Sequence, residues 1–150
     1  MNASRALVGS GMGALNVITR MLRPGDEIIT GDDLYGGTNR LLKCLSSNSG
    51  IIVHYVDTTS KEMVKEVMSS KTTMVLLDTP TNPLIKIVDI PLVSKVTHQA
   101  NEKALVVVDN SMLSPMLSKS LKLGTSPYPN EYLRQLGFGA LASVSDASIA

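Results

Sequence analysis

The sequence predicts an α/β domain, a mostly parallel sheet flanked by helices on both faces. Three observations carry that expectation. Short runs rich in β-branched residues alternate with amphipathic runs of about ten residues, the pattern of βαβ units. Two of the runs, "TMVLL" and "ALVVV", are apolar along their length, as strands buried on both faces are. Polar clusters rich in Asp, Asn, Gly and Pro follow the strands, where open parallel sheets hold their ligands.

The elements follow in order. "GMGALNVITRML" puts Met12, Leu15, Ile18 and Leu22 on one helical face, and Pro24-Gly25 ends the run. "EIIT" is a short strand. "TNRLLKCL" offers Leu41, Leu42 and Leu45 to a core, with Gly50 closing that helix. "IIVHYV" is β-branched and reads as a strand. Thr59 and Glu62 have capping-box spacing before "MVKEVM", where Met63, Val64, Val67 and Met68 share a face. "TMVLL" is the next strand. Asp89 and Pro91 suit the cap and first turn of "PLVSKVTHQA", with Leu92, Val93 and Val96 inward. "ALVVVD" is a further strand. There is no internal repeat and no low-complexity segment.

Composition narrows the function classes. The chain has 150 residues, 43% of them hydrophobic and 18% charged, the profile of one domain with a buried core. A net charge of +1 gives no electrostatic footprint for nucleic acid or an anionic membrane. No apolar run approaches the ~18 residues of a membrane span, and "MNASRALVGSGMGAL" lacks the regions of a secretory signal. Cys44 is the single cysteine, which excludes an internal disulfide and suits a reducing, cytoplasmic setting. His54 and His98 have no ligating neighbours at metal spacing, so no metal is expected.

Four polar features fall at the carboxyl edge of the expected sheet: "GSGMG", "GDDLYGGTNR", "DTPTNP" and "DNS". Each has a plain reading as turn or cap chemistry. Together they suit one ligand. Free N–H groups of Gly11 and Met12 at a helix start would hold a phosphate, Tyr35 would stack on a flat ring, Asp109 would hold a cationic ring nitrogen, and Asn82 would reach a ring hydroxyl. Those are the contacts that pyridoxal 5′-phosphate needs. A dinucleotide site is the poorer alternative, because no G-x-G-x-x-G follows a strand.

The blocks "SGMGAL", "RPGDEIITGDDLYGGTNRLL", "TPTNPLIKIVDI" and "VVVDNSMLSPML", in this order and at these intervals, resemble the Cys/Met-metabolism family of pyridoxal-phosphate enzymes. Within that family they look most like the cystathionine β-lyases, with γ-lyases and γ-synthases as the alternative. The resemblance implies part of the large domain of a fold-type I enzyme over residues 1–124. It makes Gly11 and Met12 the phosphate donors, Tyr35 the stacking residue that also assists deprotonation of the incoming amino acid, and Asn82 and Asp109 the partners of the ring oxygen and ring nitrogen. Arg40 stands where some members bring an arginine to the far end of the substrate. The activity implied is conversion of cystathionine, a small sulfur amino acid, into homocysteine, pyruvate and ammonia, by an enzyme that forms homo-oligomers.

From residue 125 the chain departs from that pattern. "TSPYPNEYLRQLGFGALASVSDASIA" replaces the strand and the Schiff-base lysine of the family, and the nine lysines end at Lys122. Residues 125–150 are expected to be a divergent, poorly packed tail, with a short helix around "NEYLRQL". The chain alone is expected to be catalytically inactive, at most a fragment with weak ligand or subunit binding.

Overall fold

The computed structural model describes residues 4–113, 133–136 and 141–144. The element order is β1 (Ser4–Leu7), α1 (Gly11–Thr19), β2 (Glu27–Gly31), α2 (Gly36–Ser49), β3 (Ile52–Val56), α3 (Lys61–Val67), β4 (Thr72–Asp78), α4 (Ile90–Ala100), β5 (Leu105–Asp109), β6 (Leu133–Leu136) and β7 (Leu141–Val144). Five strands form one sheet in the order β3-β2-β4-β5-β6, and every neighbouring pair is parallel. β1 and β7 form a separate antiparallel pair.

Side-chain alternation along the strands sorts the core into two layers. Ile28 of β2, Met74 and Leu76 of β4, and Leu105 and Val107 of β5 pack with Ala14, Leu15 and Ile18 of α1 and Leu42 of α2. Their sequence neighbours Ile29, Val75, Leu77, Val106 and Val108 face the other way, onto Val64 of α3 and Ile90 and Val93 of α4. A period of two in the strands thus separates α1 and α2 from α3 and α4. Both layers are fully buried at their centres, which is why these strands carry no polar residue until their ends.

Caps set the helix boundaries. Ser10 caps α1 by accepting from the Gly13 N–H at 3.0 Å, and Asp89 caps α4 by accepting from the Leu92 N–H at 2.9 Å. Gly50 closes α2 at φ 66°, a left-handed position that glycine fills without strain. Three expectations need correction. α1 ends at Thr19, before Pro24-Gly25, because Met21 and Leu22 donate three residues back to Ile18 and Thr19 and tighten the chain out of the helix. The cap of α3 is Ser60 and not Thr59. Thr59 is taken by Asp57, whose Oδ1 accepts from its N–H at 2.9 Å and its hydroxyl at 2.6 Å, while the Ser60 hydroxyl accepts from Met63. Met63 is exposed and does not join Val64 in the core.

The expected helix around "NEYLRQL" is also corrected, since Leu133–Leu136 form β6. That segment adds to the free side of β5, with Val106 opposite Leu133 and Asp109 opposite Leu136. An edge strand with unpaired N–H and C=O groups rewards a backbone partner more than local helix propensity rewards the same residues. It is the outermost strand, not a central one. Leu141–Val144 of the expected tail form β7, paired with β1, and its residues 125–132, 137–140 and 145–150 lie outside the described residues.

Truncating the centre of the sheet should cost far more than removing a cap. Leu76→Ala is expected to lose ~2–5 kcal/mol, and Asp89→Ala about 1 kcal/mol, read from urea unfolding. Equal losses would contradict the assignment of stability to the doubly buried strands.

Candidate functional site

The strand order reverses direction around β2, since the chain goes from β2 out to β3 and then returns to the other side with β4 and β5. Open α/β sheets bind ligands at the carboxyl ends of strands beside such a reversal. A cavity of about 370 Å³ lies there, built from the α1 terminus, Tyr35 at the head of α2, and residues after β4 and β5. That volume sits at the low end of the ~300–1,000 Å³ usual for small-molecule sites.

The structure brings five of the six expected site residues together. Gly11, Met12, Tyr35, Asn82 and Asp109 all line this cavity. Ser10 takes the Gly13 N–H with its hydroxyl and the Ala14 N–H with its carbonyl. Gly11 and Met12 therefore carry the first-turn donors that have no acceptor inside the helix. Arg40 is different. It is exposed on α2 and is not among the cavity-lining residues.

Tyr35 precedes α2 with φ −53° and ψ 133°, so the chain turns sharply there and the ring is left half exposed at the cavity wall. The ring lies over Gly37. A Cβ at Gly37 would come within 2.5 Å of Tyr35 Cε1 and 3.0 Å of Met12 Sδ, so only glycine lets the ring settle.

The two acids of the "GDD" stretch hold the loop that carries Asn82. Asp33 is buried, and its Oδ2 accepts from the Thr81 hydroxyl and from the Leu84 N–H at 3.0 Å. These two donors flank Asn82-Pro83, so Asp33 fixes the loop that carries Asn82. Both X-Pro bonds of that loop, Thr79-Pro80 and Asn82-Pro83, are cis. Lys86 closes the loop's far end, with Nζ 3.6 Å from Asp32 and 3.2 Å from Asp57. Asp57 is held below the usual carboxylate range, first by the Thr59 hydroxyl and N–H, and further by Lys86. Lys86 is raised in turn, chiefly by its bond to Asp57.

Asp78 was missed by the sequence reading. It ends β4 opposite Asp109, which ends β5, and both line the cavity. Strand parity puts 74, 76 and 78 on one face, and 105, 107 and 109 on that same face, towards α1 and α2. Burial pushes the Asp78 carboxyl up to about 7, helped by the charges of Asp109 and Asp33, while a hydrogen bond from the Tyr35 N–H works the other way. Asp109 is anchored separately, its Oδ1 accepting from the Ser111 N–H at 3.0 Å and the Ser111 hydroxyl at 2.6 Å. A signal did exist in the sequence: "LLD" and "VVVD" both end an apolar strand in an acid.

The donors and acceptors fit a phosphorylated, cationic heteroaromatic ring. There is a helix start with N–H groups that have no acceptor inside the helix, a flat aromatic wall, and carboxylates at the sheet edge, with no lysine or arginine among the described lining residues to neutralise them. Among the described residues, no group of three or more His, Cys, Asp or Glu could hold a metal ion. No helix there is long and apolar enough to cross a membrane.

Two outcomes follow from this geometry. Gly37→Ala should push the Tyr35 ring off its seat, read as a changed ring environment by NMR with unchanged far-UV circular dichroism; an unmoved ring would contradict the contact. The second concerns Asp78, which keeps its proton to about pH 7 when folded against 3.8 ordinarily. The folded chain then binds more protons than the unfolded one between those values, so this group's effect is to lower stability as pH rises through the window. Asp78→Asn should raise the melting temperature at about pH 8 and lose that advantage near pH 4; a gain confined to acid pH would contradict the sign.

Comparisons with known proteins agree with this picture. Residues 1–126 match the family model described as Cys/Met metabolism PLP-dependent enzyme, PLP being pyridoxal 5′-phosphate. The chain is 70% identical over 125 residues to a cystathionine beta-lyase of Neurospora crassa, which covers 83% of this chain and 27% of that protein. It is 44% identical over 115 residues to the chloroplastic cystathionine beta-lyase of Arabidopsis thaliana, covering 77% and 24%. Among solved structures, metB from Corynebacterium glutamicum superimposes with a TM-score of 0.76 at 36% identity, over 89% of this chain and 32% of that one. The chain thus spans about a quarter of the length of these curated relatives. With that match over most of its length, the chain belongs to the Cys/Met-metabolism family of pyridoxal-phosphate-dependent enzymes.

Proposed function

We propose that this chain contributes the cofactor cradle of a carbon–sulfur lyase that converts cystathionine and water into homocysteine, pyruvate and ammonia. The observation that carries the reading is the convergence of the α1 terminus, Tyr35, Asn82 and Asp109 on one cavity. The family acts on amino acids with this cofactor, and relatives 70% and 44% identical to the chain are named cystathionine beta-lyases. A cystathionine gamma-lyase of Dictyostelium discoideum is also 40% identical over 124 residues, so γ-lyase or γ-synthase activity is the second reading.

In this proposal the N–H groups of Gly11 and Met12 hold the phosphate at the positive end of α1. Tyr35 would stack against the cofactor ring, and its hydroxyl would assist deprotonation of the incoming amino acid. Asn82, fixed by the Asp33 anchor, meets the ring hydroxyl. Asp109, steadied by Ser111, keeps the ring nitrogen protonated. When bound, the cofactor supplies an electron sink that makes the α-proton acidic and lets the β-sulfur leave. For Arg40, contact with the far end of the substrate rests on its motif position alone.

The wider proposals follow the same reading. Exposed Leu84, Ile85 and Ile87 beside the Asn82 loop support assembly into a homo-oligomer. The solitary Cys44, free and exposed, supports a reducing, cytoplasmic setting. Residues 1–124 are the family-like portion and 125–150 the divergent one.

The polypeptide of these 150 residues is itself proposed to be inactive. Its lysines end at Lys122 and none lines the described cavity. A positioned acid–base group contributes ~10²–10⁴-fold, and orientation as much as ~7–11 kcal/mol of the barrier. Two measurements test the reading. Titration with pyridoxal phosphate, followed by absorbance, should show binding that weakens about tenfold, ~1.4 kcal/mol, in Asp109→Ala; equal binding by the variant would refute the cradle. Pyruvate release from cystathionine should stay at the rate of free cofactor. Turnover well above it, lost in Asp109→Ala, would refute the inactivity.

A further inference from the structure

We infer that Asp78 is the proton-holding partner of Asp109, and that the cavity takes up a cationic heteroaromatic ring by exchanging the Asp78 proton for the ring's positive charge. This deepens, and rests on, the reading of the cavity as a pyridoxal-phosphate site. It gives a role to an acid that the sequence motifs left unassigned.

The geometry begins with the register. Asp78 and Asp109 are directly paired across β4 and β5, strands separated by ~4.8 Å in a sheet. Parity puts both side chains on the α1 and α2 face, and both line the cavity. Two carboxylates in such a place cannot both ionise cheaply without a cation between them. The protein supplies none among the described lining residues. The other ionisable groups nearby are Asp33 after β2 and the phenol of Tyr35 at α2. α1 carries no ionisable side chain, and Arg40 and Lys43 of α2 are exposed. Lys86 of the Asn82 loop is held by Asp32 and Asp57. Arg134 of β6 stands in register with Val107 and so across β5 from Leu76, whereas Leu136 holds the position level with Asp109 and Asp78.

Burial decides which acid keeps the proton. Asp78 is 8% exposed, whereas Asp109 is only partly buried and has its Oδ1 committed to Ser111. The neutral form therefore resides on Asp78, in line with a carboxyl raised to about 7. A ring that arrives with its nitrogen protonated brings the missing positive charge to Asp109. Asp78 then ionises, and its proton leaves to solvent. One charge replaces one proton, and the cavity stays close to balanced in both states. A neutral aromatic phosphate of the same shape gains nothing from this exchange.

Two measurements test the exchange. In the cofactor-free chain, carboxyl-carbon NMR should follow Asp78 titrating near neutrality, with the midpoint falling in Asp109→Asn. An ordinary acidic midpoint in the unsubstituted chain, or one unmoved by Asp109→Asn, would overturn the pairing. In calorimetric titrations with pyridoxal phosphate, run in two buffers of different ionisation heat around pH 6, the unsubstituted chain should release up to about one more proton per bound cofactor than Asp78→Asn. That difference should fade towards about pH 8.5, where Asp78 is already ionised. Binding with equal proton release in the two chains overturns this inference alone and leaves the cradle intact. Absence of binding by the unsubstituted chain overturns both.

Discussion

Burial of β4 and β5 on both faces is the constraint on which the rest of the structure depends. A strand covered by helices above and below has no room for a polar group along its middle. Chemistry is therefore displaced to the strand ends, and strand parity decides which layer it meets. Because Met74, Leu76, Leu105 and Val107 face α1 and α2, the acids two residues further on face those helices too. The open N–H groups at the start of α1 and the carboxylates of the sheet edge then meet across one cavity. Shifting either strand by one residue would turn its acid to the α3 and α4 layer and take the site apart.

Local sequence signals and tertiary constraint contribute unequally. The strands from "EIIT" to "ALVVVD" were legible because β-branched and apolar runs have few other uses in a soluble domain. The Asp89 cap and the Gly50 stop were legible because their chemistry is local: a carboxylate reaching the third N–H, and a left-handed residue. The α3 cap was misplaced because Thr59 and Ser60 are both able caps, and the choice fell to Asp57, which claims Thr59 from outside the helix. β6 was illegible for a related reason. Its pairing with β5 is made across more than twenty intervening residues, and local propensity carries no trace of it.

The site divides the same way. Gly11, Met12, Tyr35, Asn82 and Asp109 were legible because each sits in a short block with a recognisable chemical preference. Arg40 was named from its block too, but a helix turns each successive side chain by about 100°, and its position on α2 leaves it outside the cavity wall. Asp33 and Asp78 belong to no local pattern. Asp33 matters through Thr81 and Leu84, about fifty residues away, and Asp78 matters through its register with Asp109. Both are tertiary facts.

The loop that carries Asn82 is tied down at its two ends by unlike bonds. Near Thr81 the tie is a buried carboxylate with two donors, shielded from solvent and indifferent to dissolved ions. At Lys86 the tie is a pair of contacts to Asp32 and Asp57 at the surface, where mobile ions compete. Rising ionic strength therefore loosens the Lys86 side chain alone, because the Lys86 backbone stays bonded to Thr81, its N–H donating to the Thr81 hydroxyl and its carbonyl accepting from the Thr81 N–H, both at 2.9 Å. Brackish and dilute surroundings would leave the loop and the cavity wall alike, and differ in the freedom of the Lys86 side chain that borders them.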